Sequence, residues 1–400
     1  CLSYEGRYRR PPDNRALKRQ MREASKSVLR YTTQATQVDR DTTERLFKLQ
    51  QLLPAILLER RSNKELRAFL ETARTDPATW IEAAIKVTTE EQEPKEHAPP
   101  SQHQQVQARQ RVVREQLRVG EVAKAYAAAT STEKLANPTA QIIEEEVIPK
   151  LNLPPDREPE PMPEVPEEIT RSYMRRVNAI KAQDVRRALA RLKCATNPGV
   201  TNYTAEFLVM LASDDEGMEL IMSLAKTFLK FELPDAIRPF FVGGQLKLIE
   251  KSTGGHRPIV PQGTWMKLCE RILLHLICKE NPGTYAAMEG LFAPHQFAVG
   301  TQAGNDVVVH GVNALLLKNP EHVGVKLDIA NAYSSVNRSA LVAKLMEKPT
   351  LAWLAPWVVA CYGQTLLISV RLRDKWGLVP SDTGILQGAV LSPFLYATLT

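Results

Sequence analysis

The chain has 400 residues, and its 52 Lys and Arg against 45 Asp and Glu give a formal net charge of +7 at pH 7. That length predicts two or three domains, and the basic balance modestly favours a polyanionic partner. The five cysteines form no C-x-x-C pair, which argues against a zinc site or a disulfide framework and favours an intracellular, reducing location. No apolar run approaches the roughly 18 residues of a membrane span, so we expect neither a membrane partner nor a signal peptide.

The N-terminal third is predicted to be mainly helical. Residues 1–90 and 111–143 have helical periodicity, and a polar linker rich in Gln, Glu, His and Pro covers 91–110. Basic residues cluster near the start: Arg7, Arg9, Arg10, Arg15, Lys18, Arg19 and Arg22. Such a cluster is either a solvated face or a contact with nucleic acid, and the sequence leaves both open.

An acidic, proline-rich linker is predicted at residues 144–168. Proline removes backbone donors and like charges repel, so we expect an extended segment. A compact region of mixed helix and strand then covers 169–400. Helical patterns occur at 169–193, 204–231, 265–279, 334–347 and 352–362, and strand-like patterns at 243–250, 323–328 and 365–372.

One carboxylate, Asp328, follows the strand-like stretch 323–328. Val323, Val325 and Leu327 alternate as one face of a strand does, and a helical pattern begins near Ala330. A carboxylate at the end of a buried strand is well placed to hold a divalent cation against phosphates. An Asp after a strand is also a common helix N-cap or turn residue, and this alternative stays open.

A second motif, Gly384–Pro393, contains a Gln387-Gly388 turn followed by Ser392-Pro393. Glycine lets the backbone approach a neighbour closely. Serine followed by proline predicts an N-cap and first helical position, opening a helix over 394–399.

In this order, the Asp328 and Gln387-Gly388 segments resemble the palm of a reverse transcriptase of the non-LTR retrotransposon type. Upstream segments extend the resemblance over roughly 190–400: 196–201, 205–208, 248–259, 267–273 and 295–302. The segment 196–201 departs from the family because its usual Asp-Gly pair is absent. The resemblance implies an α+β fold with right-hand polymerase fingers and a partial palm, preceded by the mainly helical N-terminal region.

The resemblance also implies site residues. Asp328 is the expected catalytic residue and, with the backbone carbonyl of Ile329, the expected ligand of two Mg²⁺ ions. Tyr333 is expected to exclude a sugar 2′-hydroxyl, and a packed core aromatic is its alternative. The other implied contacts are to the incoming nucleotide by Lys251, Arg257, Gln387 and Gly388, and to the template and primer by Ser392 and Pro393. Lys247 rivals Lys251, and both Lys251 and Arg257 also fit ordinary solvated charges.

The implied function is RNA-directed DNA synthesis, with an RNA template, a DNA primer or nicked target DNA, and deoxynucleoside triphosphates as partners. A nuclear location is expected, and the oligomeric state is not indicated. Three alternatives compete: a group II intron-type maturase, a decayed or domesticated RNA-binding copy without catalysis, and a viral RNA polymerase, which Tyr333 disfavours.

The family's third palm motif, an aromatic residue, a variable residue and two aspartates, is expected some tens of residues beyond the Ser-Pro helix. The chain begins with Cys1 and stops at Thr400. We therefore expect an N-terminal fragment that does not polymerise by itself.

Overall fold

The computed structural model describes residues 14–35, 63–89, 135–194, 203–235, 237–251, 254–280, 296–299, 303–372 and 375–399. It also describes individual positions between 46 and 57 and between 107 and 126, and residues 201 and 301. The linker predicted at 91–110 lies almost wholly outside the described residues, as does most of the 196–201 segment.

The described residues form an α+β structure in which helices predominate. The helices are α1 (Arg15–Ala35), α2 (Asn63–Thr75), α3 (Pro77–Thr89), α4 (Ala140–Ile142), α5 (Ile148–Leu151), α6 (Glu167–Asn178), α7 (Ala182–Ala190), α8 (Ala205–Leu211), α9 (Asp215–Leu229), α10 (Arg238–Gly243), α11 (Thr264–Glu280), α12 (Gly304–Lys318), α13 (Arg338–Glu347), α14 (Ala355–Tyr362) and α15 (Ser392–Leu399). A π-helical turn (Ile143–Val147) joins α4 to α5, and a 3-10 turn (Ala352–Leu354) precedes α14. The strands are β1 (Leu135–Ala136), β2 (Lys247–Glu250), β3 (His256–Ile259), β4 (Leu366–Arg371) and β5 (Trp376–Ser381).

Aromatic side chains on α9 and α11 anchor the core. The Trp265 ring lies 5.0 Å from the Phe228 ring and 5.4 Å from the Tyr203 ring, measured between centroids, and all three are fully buried. Each ring removes a large apolar area from water, which is the main stabilising contribution to such a core. Polar caps set the helix starts: the Asp214 carboxylate accepts from Gly217 N–H and begins α9.

The strands form two small antiparallel sheets. One has the order β1-β2-β3, in which Ile249 is opposite Arg257, and the other pairs β4 with β5. The sheets are joined where the chain approaches β2, because Leu246 N–H donates to Ser369 O at 2.8 Å and Ser369 N–H donates to Gly244 O at 3.1 Å. The β2-β3 hairpin is therefore held beside β4.

Most predicted helices and two of the three predicted strands are confirmed with shifted bounds. The 265–279 helix corresponds to α11 and the 365–372 strand to β4, whereas the predicted 169–193 and 204–231 helices are each two helices. The 243–250 strand begins only at Lys247, since α10 occupies the residues up to Gly243, and the 334–347 helix begins only at Arg338 after a turn. Helices α10 and α12 were not predicted.

The predicted strand 323–328 is wrong in this structure. Residues 322–329 form no helix or strand, and the side chains expected to be buried are exposed, Val323 by 85%, Val325 by 76% and Leu327 by 86%. A strand is stable only when its N–H and C=O groups pair with a neighbour. None of the strands among the described residues pairs with this segment.

The segment predicted to be an extended linker, 144–168, begins as helix. Residues up to Leu151 are helical, and the irregular, proline-rich course starts only at Asn152. The helical part packs on the hairpin: Glu146 accepts from His256 N–H at 2.8 Å and Lys150 donates to His256 O at 2.8 Å. Ile143, Val147 and Leu151, the apolar positions of the same segment, are buried and belong to the core.

Candidate functional site

The Gln387-Gly388 turn lies against the end of the β2-β3 hairpin. Val260 N–H donates to Gln387 O at 2.8 Å. Gly388 has φ +127, and a Cβ atom built there would lie 2.9 Å from Val260 O. Only glycine combines that backbone conformation with so close an approach. The resemblance implies that Gly388 lets the backbone approach a nascent base pair, whereas the backbone that Gly388 approaches in this structure is that of the protein's own hairpin.

Tyr333 lies next to the same turn. Its carbonyl accepts from Ile385 N–H at 2.8 Å, and Val336 O accepts from Gly384 N–H at 3.1 Å. The half-buried Tyr333 ring lies 5.3 Å from the Tyr396 ring on α15, measured between centroids. Burial raises the pKa of the Tyr333 hydroxyl, with a smaller contribution from Tyr396. The structure thus joins the aromatic residue to the Gln387-Gly388 turn.

The predicted phosphate-binding side chains lie on the hairpin. Lys251 is exposed at the tip, where its N–H donates to Gly255 O at 3.0 Å, and Arg257 is exposed on β3. Lys247, the rival of Lys251, is half-buried at the base of β2, and burial lowers the pKa of its ammonium group. A phosphate group in solution can therefore reach Lys251 and Arg257. Lys247 is less accessible to solvent than either of them.

A buried carboxylate, Glu270 on α11, fixes the turn from beneath. Gln262 Nε2 donates to Glu270 Oε1 and Leu391 N–H donates to Glu270 Oε2, both at 2.9 Å. Burial raises the pKa of Glu270 to about 6, against the opposing effect of these hydrogen bonds. Sequence analysis did not identify this residue, although a lone Glu inside the apolar α11 pattern was a visible signal.

A buried guanidinium, Arg338 at the start of α13, ties together the backbone behind Tyr333. Its nitrogens donate to the carbonyls of Gly384, Tyr362, Gln364, Ser381 and Thr383 at 2.8–3.3 Å. The guanidinium also lies 5.5 Å from the centre of the Tyr362 ring. Burial lowers the pKa of Arg338 to about 10, so the group keeps its charge at neutral pH. Sequence reasoning missed Arg338 as well.

Among the described residues, the predicted metal ligands make no hydrogen bond to this assembly. Asp328 and Ile329 lie in the exposed segment 322–329. Within the described ranges, no three Asp, Glu, His or Cys side chains are grouped as metal ligands. A two-metal clamp uses several carboxylates, and Asp328 is the only carboxylate that the prediction names; we assign no step to a metal ion.

The two residues predicted to contact the template and primer, Ser392 and Pro393, differ in their exposure to solvent. Ser392 is 1% exposed, and its hydroxyl donates to Leu386 O at 2.7 Å. It therefore holds the turn and does not present its hydroxyl to a bound strand, which corrects the prediction for this residue. Pro393, the next residue, is exposed.

Two open clefts of about 510 and 530 Å³ lie on the described surface. The first lies between the proline-rich segment 153–162 and α13, and the second between α1 and α8. Neither is lined by the residues predicted for nucleotide or metal binding.

Comparison with known proteins does not assign the chain. No family model matches it, and no curated protein matches it. In the part of the chain that the structure describes, no helix is both long and apolar enough to cross a membrane.

Proposed function

We propose that the chain carries the nucleotide-binding part of an RNA-directed DNA polymerase of a non-LTR retroelement, with right-hand fingers and a partial palm. Its substrates would be deoxynucleoside triphosphates, an RNA template and a DNA primer or nicked target DNA. Mg²⁺ would be the metal of the polymerase, and the enzyme would be nuclear.

One observation carries the proposal. Three segments that lie far apart in sequence are joined by hydrogen bonds. Ile385 N–H, next to the Gln387-Gly388 turn, donates to Tyr333 O, and Val260 N–H, at the end of the β2-β3 hairpin, donates to Gln387 O. Three motifs of one resemblance therefore meet in one place. Matches that arose by chance along the sequence would have no reason to be neighbours in the folded protein.

In this proposal the side chains have distinct tasks. Lys251 and Arg257 would neutralise the charge of the triphosphate, with the arginine fork suited to bidentate contact. Gln387 and Gly388 would border the nascent base pair. The Tyr333 ring, supported by Tyr396, would fill the space beside the sugar and reject a 2′-hydroxyl by collision.

The test is primer extension by the protein expressed from its complete coding sequence, with oligo(dT) annealed to poly(rA), Mg²⁺, and either dTTP or UTP. The wild type is expected to extend with dTTP and strongly prefer it to UTP. Tyr333→Ala should relax that preference by about 10–200-fold, the range that a difference of one methylene group gives in a specificity pocket. Tyr333→Phe keeps the ring and is the matched control, which should behave like the wild type.

The outcomes separate the competing functions. Asp328→Asn should abolish extension, whereas equal extension by this variant would refute the catalytic assignment. Unchanged sugar preference in Tyr333→Ala would remove the role given to Tyr333. A folded protein that binds the primed RNA and never extends it would favour the non-catalytic RNA-binding alternative.

A further inference from the structure

Helix α1 carries two groups of cations that differ in their surroundings. Lys26 is buried, and its Nζ lies 2.7 Å from a carboxylate oxygen of Glu216, 3.0 Å from one of Glu23 and 3.2 Å from one of Asp214. Arg30 also pairs with Glu216. Lys26 and Arg30, in the C-terminal half of α1, are thus neutralised by nearby carboxylates and hold α1 against the start of α9. They have a structural explanation and need no ligand.

The cations one and two turns earlier are different. Arg15, Lys18 and Arg19 are exposed, and none of them has a carboxylate within ion-pair distance in the described part of the chain. Their spacing places them on one side of the helix. Arg22, next along that side, is partly buried and bonds Asp214 and Ser213, so it marks the boundary between the two groups.

These four cations line one wall of the 530 Å³ groove between α1 and α8. The opposite wall includes Val209, which is 49% exposed, and Met210, and one carboxylate, Glu206, also lines the groove. The formal charge of these lining groups is +3, from four cations and one anion, and it falls to +2 when Arg22 is counted together with its partner Asp214. The groove therefore combines a cationic wall with an apolar surface.

We propose that this groove, formed by Arg15, Lys18, Arg19 and Arg22 of α1 facing Val209 of α8, binds a single-stranded nucleic acid through its phosphate backbone. From Arg15 to Arg22 the helix advances about 10 Å, which equals about three phosphate spacings when the strand keeps the rise that it has in a duplex. Val209 is 49% exposed and offers an apolar surface for a base or sugar. Binding in this groove does not involve the proposed polymerase site, so an experiment can refute this proposal without refuting the proposed function, and the reverse.

The experiment is fluorescence anisotropy with the 400-residue chain and a fluorescein-labelled oligouridylate of about 12 nucleotides, at salt concentrations from about 50 to 200 mM. The groove variant is Arg15→Gln, Lys18→Gln and Arg19→Gln combined. The matched control removes the same charge at three exposed cations outside the groove, Arg175→Gln, Arg187→Gln and Lys318→Gln. Far-UV circular dichroism and thermal melting check that both variants fold, which is expected because all six side chains are exposed.

The groove variant should bind at least about tenfold more weakly at low salt, and its log–log salt slope should fall by about 2, since each lost phosphate contact on a single strand contributes about 0.7. The control variant should keep most of the wild-type slope. Val209→Asp, which adds a negative charge to the groove without filling a core position, should also weaken binding.

Equal losses in the groove and control variants would overturn the proposal, because they would show a diffuse charge effect. Unchanged binding in both would overturn it too. Wild-type binding to phosphatidylserine vesicles that the groove variant loses, together with unaltered oligonucleotide binding, would assign the groove to an anionic membrane surface instead.

Discussion

The Arg338 side chain makes more hydrogen bonds with the fold than its position at the first turn of a helix suggests. Replacing it with Met leaves several buried carbonyl oxygens without donors, and each such loss costs about 1–3 kcal/mol before relaxation. We expect Arg338→Met to lower the free energy of unfolding by about 3 kcal/mol. Urea denaturation followed by circular dichroism measures this change.

Two further variants separate geometry from charge at this position. Arg338→Lys keeps the charge, but a single ammonium group cannot reach all five carbonyls, so an intermediate loss is expected. Arg171→Met removes an exposed arginine that pairs with Glu167 on its own helix, and it should change stability by less than about 0.5 kcal/mol. Equal effects of Arg338→Met and Arg171→Met would contradict the role given to Arg338.

Arg338 and Glu270 show why sequence analysis named residues of short motifs and missed these two buried charged residues. Tyr333, Gln387 and Gly388 belong to short motifs whose meaning is local. The partners of Arg338 and Glu270 are mostly backbone groups on other elements, and backbone groups have no sequence signature. A charged residue at a buried helical position indicates that partners exist, but it does not indicate which ones they are.

At the scale of elements, Glu270 couples helix α11 to the Gln387-Gly388 turn, and this coupling predicts a dependence of stability on pH. The pKa of Glu270 is about 6 in the folded protein, against an ordinary value of 4.5. Between those values the folded state binds more protons than the unfolded state. The free energy of unfolding should therefore fall as pH rises from about 4.5 to 6, by about 2 kcal/mol from this group.

The measurement is a series of urea titrations from pH 4 to pH 7 on wild type and Glu270→Gln. At each pH the free energy of unfolding of the variant is subtracted from that of the wild type. Burial raises the pKa values of the neighbouring Cys361 and Tyr362, so neither group titrates in this window. The difference should change with pH in the stated direction and level off above the folded pKa. A difference that is constant across the range would show that Glu270 does not titrate there.

Strand prediction succeeded or failed according to whether a partner is available. The alternation at 365–372 became β4 because β5 follows closely and pairs with it from Leu366 to Arg371. The equally clear alternation at 323–328 has no pairing strand among the described residues, and its apolar side chains are exposed. Periodicity shows that a segment can form a strand, but pairing decides whether it does.

At the scale of the whole molecule, residues 135–153 join the two sheets. β1 pairs with β2, Leu153 N–H donates to the Asp382 carboxylate at 2.8 Å, and Asn152 Nδ2 donates to Pro380 O at 3.0 Å. Sequence analysis divided this stretch between a separate helix and a linker because its composition changes there. Its contacts instead place it with the hairpin that carries Lys251 and Arg257.

The hydrogen bond from His256 N–H to Glu146 is one of the contacts that hold this segment against the hairpin. Hydrogen bonds from the His256 side chain and backbone lower the pKa of Glu146, so the carboxylate is ionised and accepts strongly near neutral pH. Glu146→Ala should free the hairpin to open locally, and hydrogen exchange at residues 256–260 should accelerate, while α11 stays protected. Glu144→Ala, at an exposed position in the same helical segment, is the matched control and should leave exchange unchanged. Unaltered exchange at 256–260 in Glu146→Ala would mean that the other contacts of the hairpin keep it closed without Glu146.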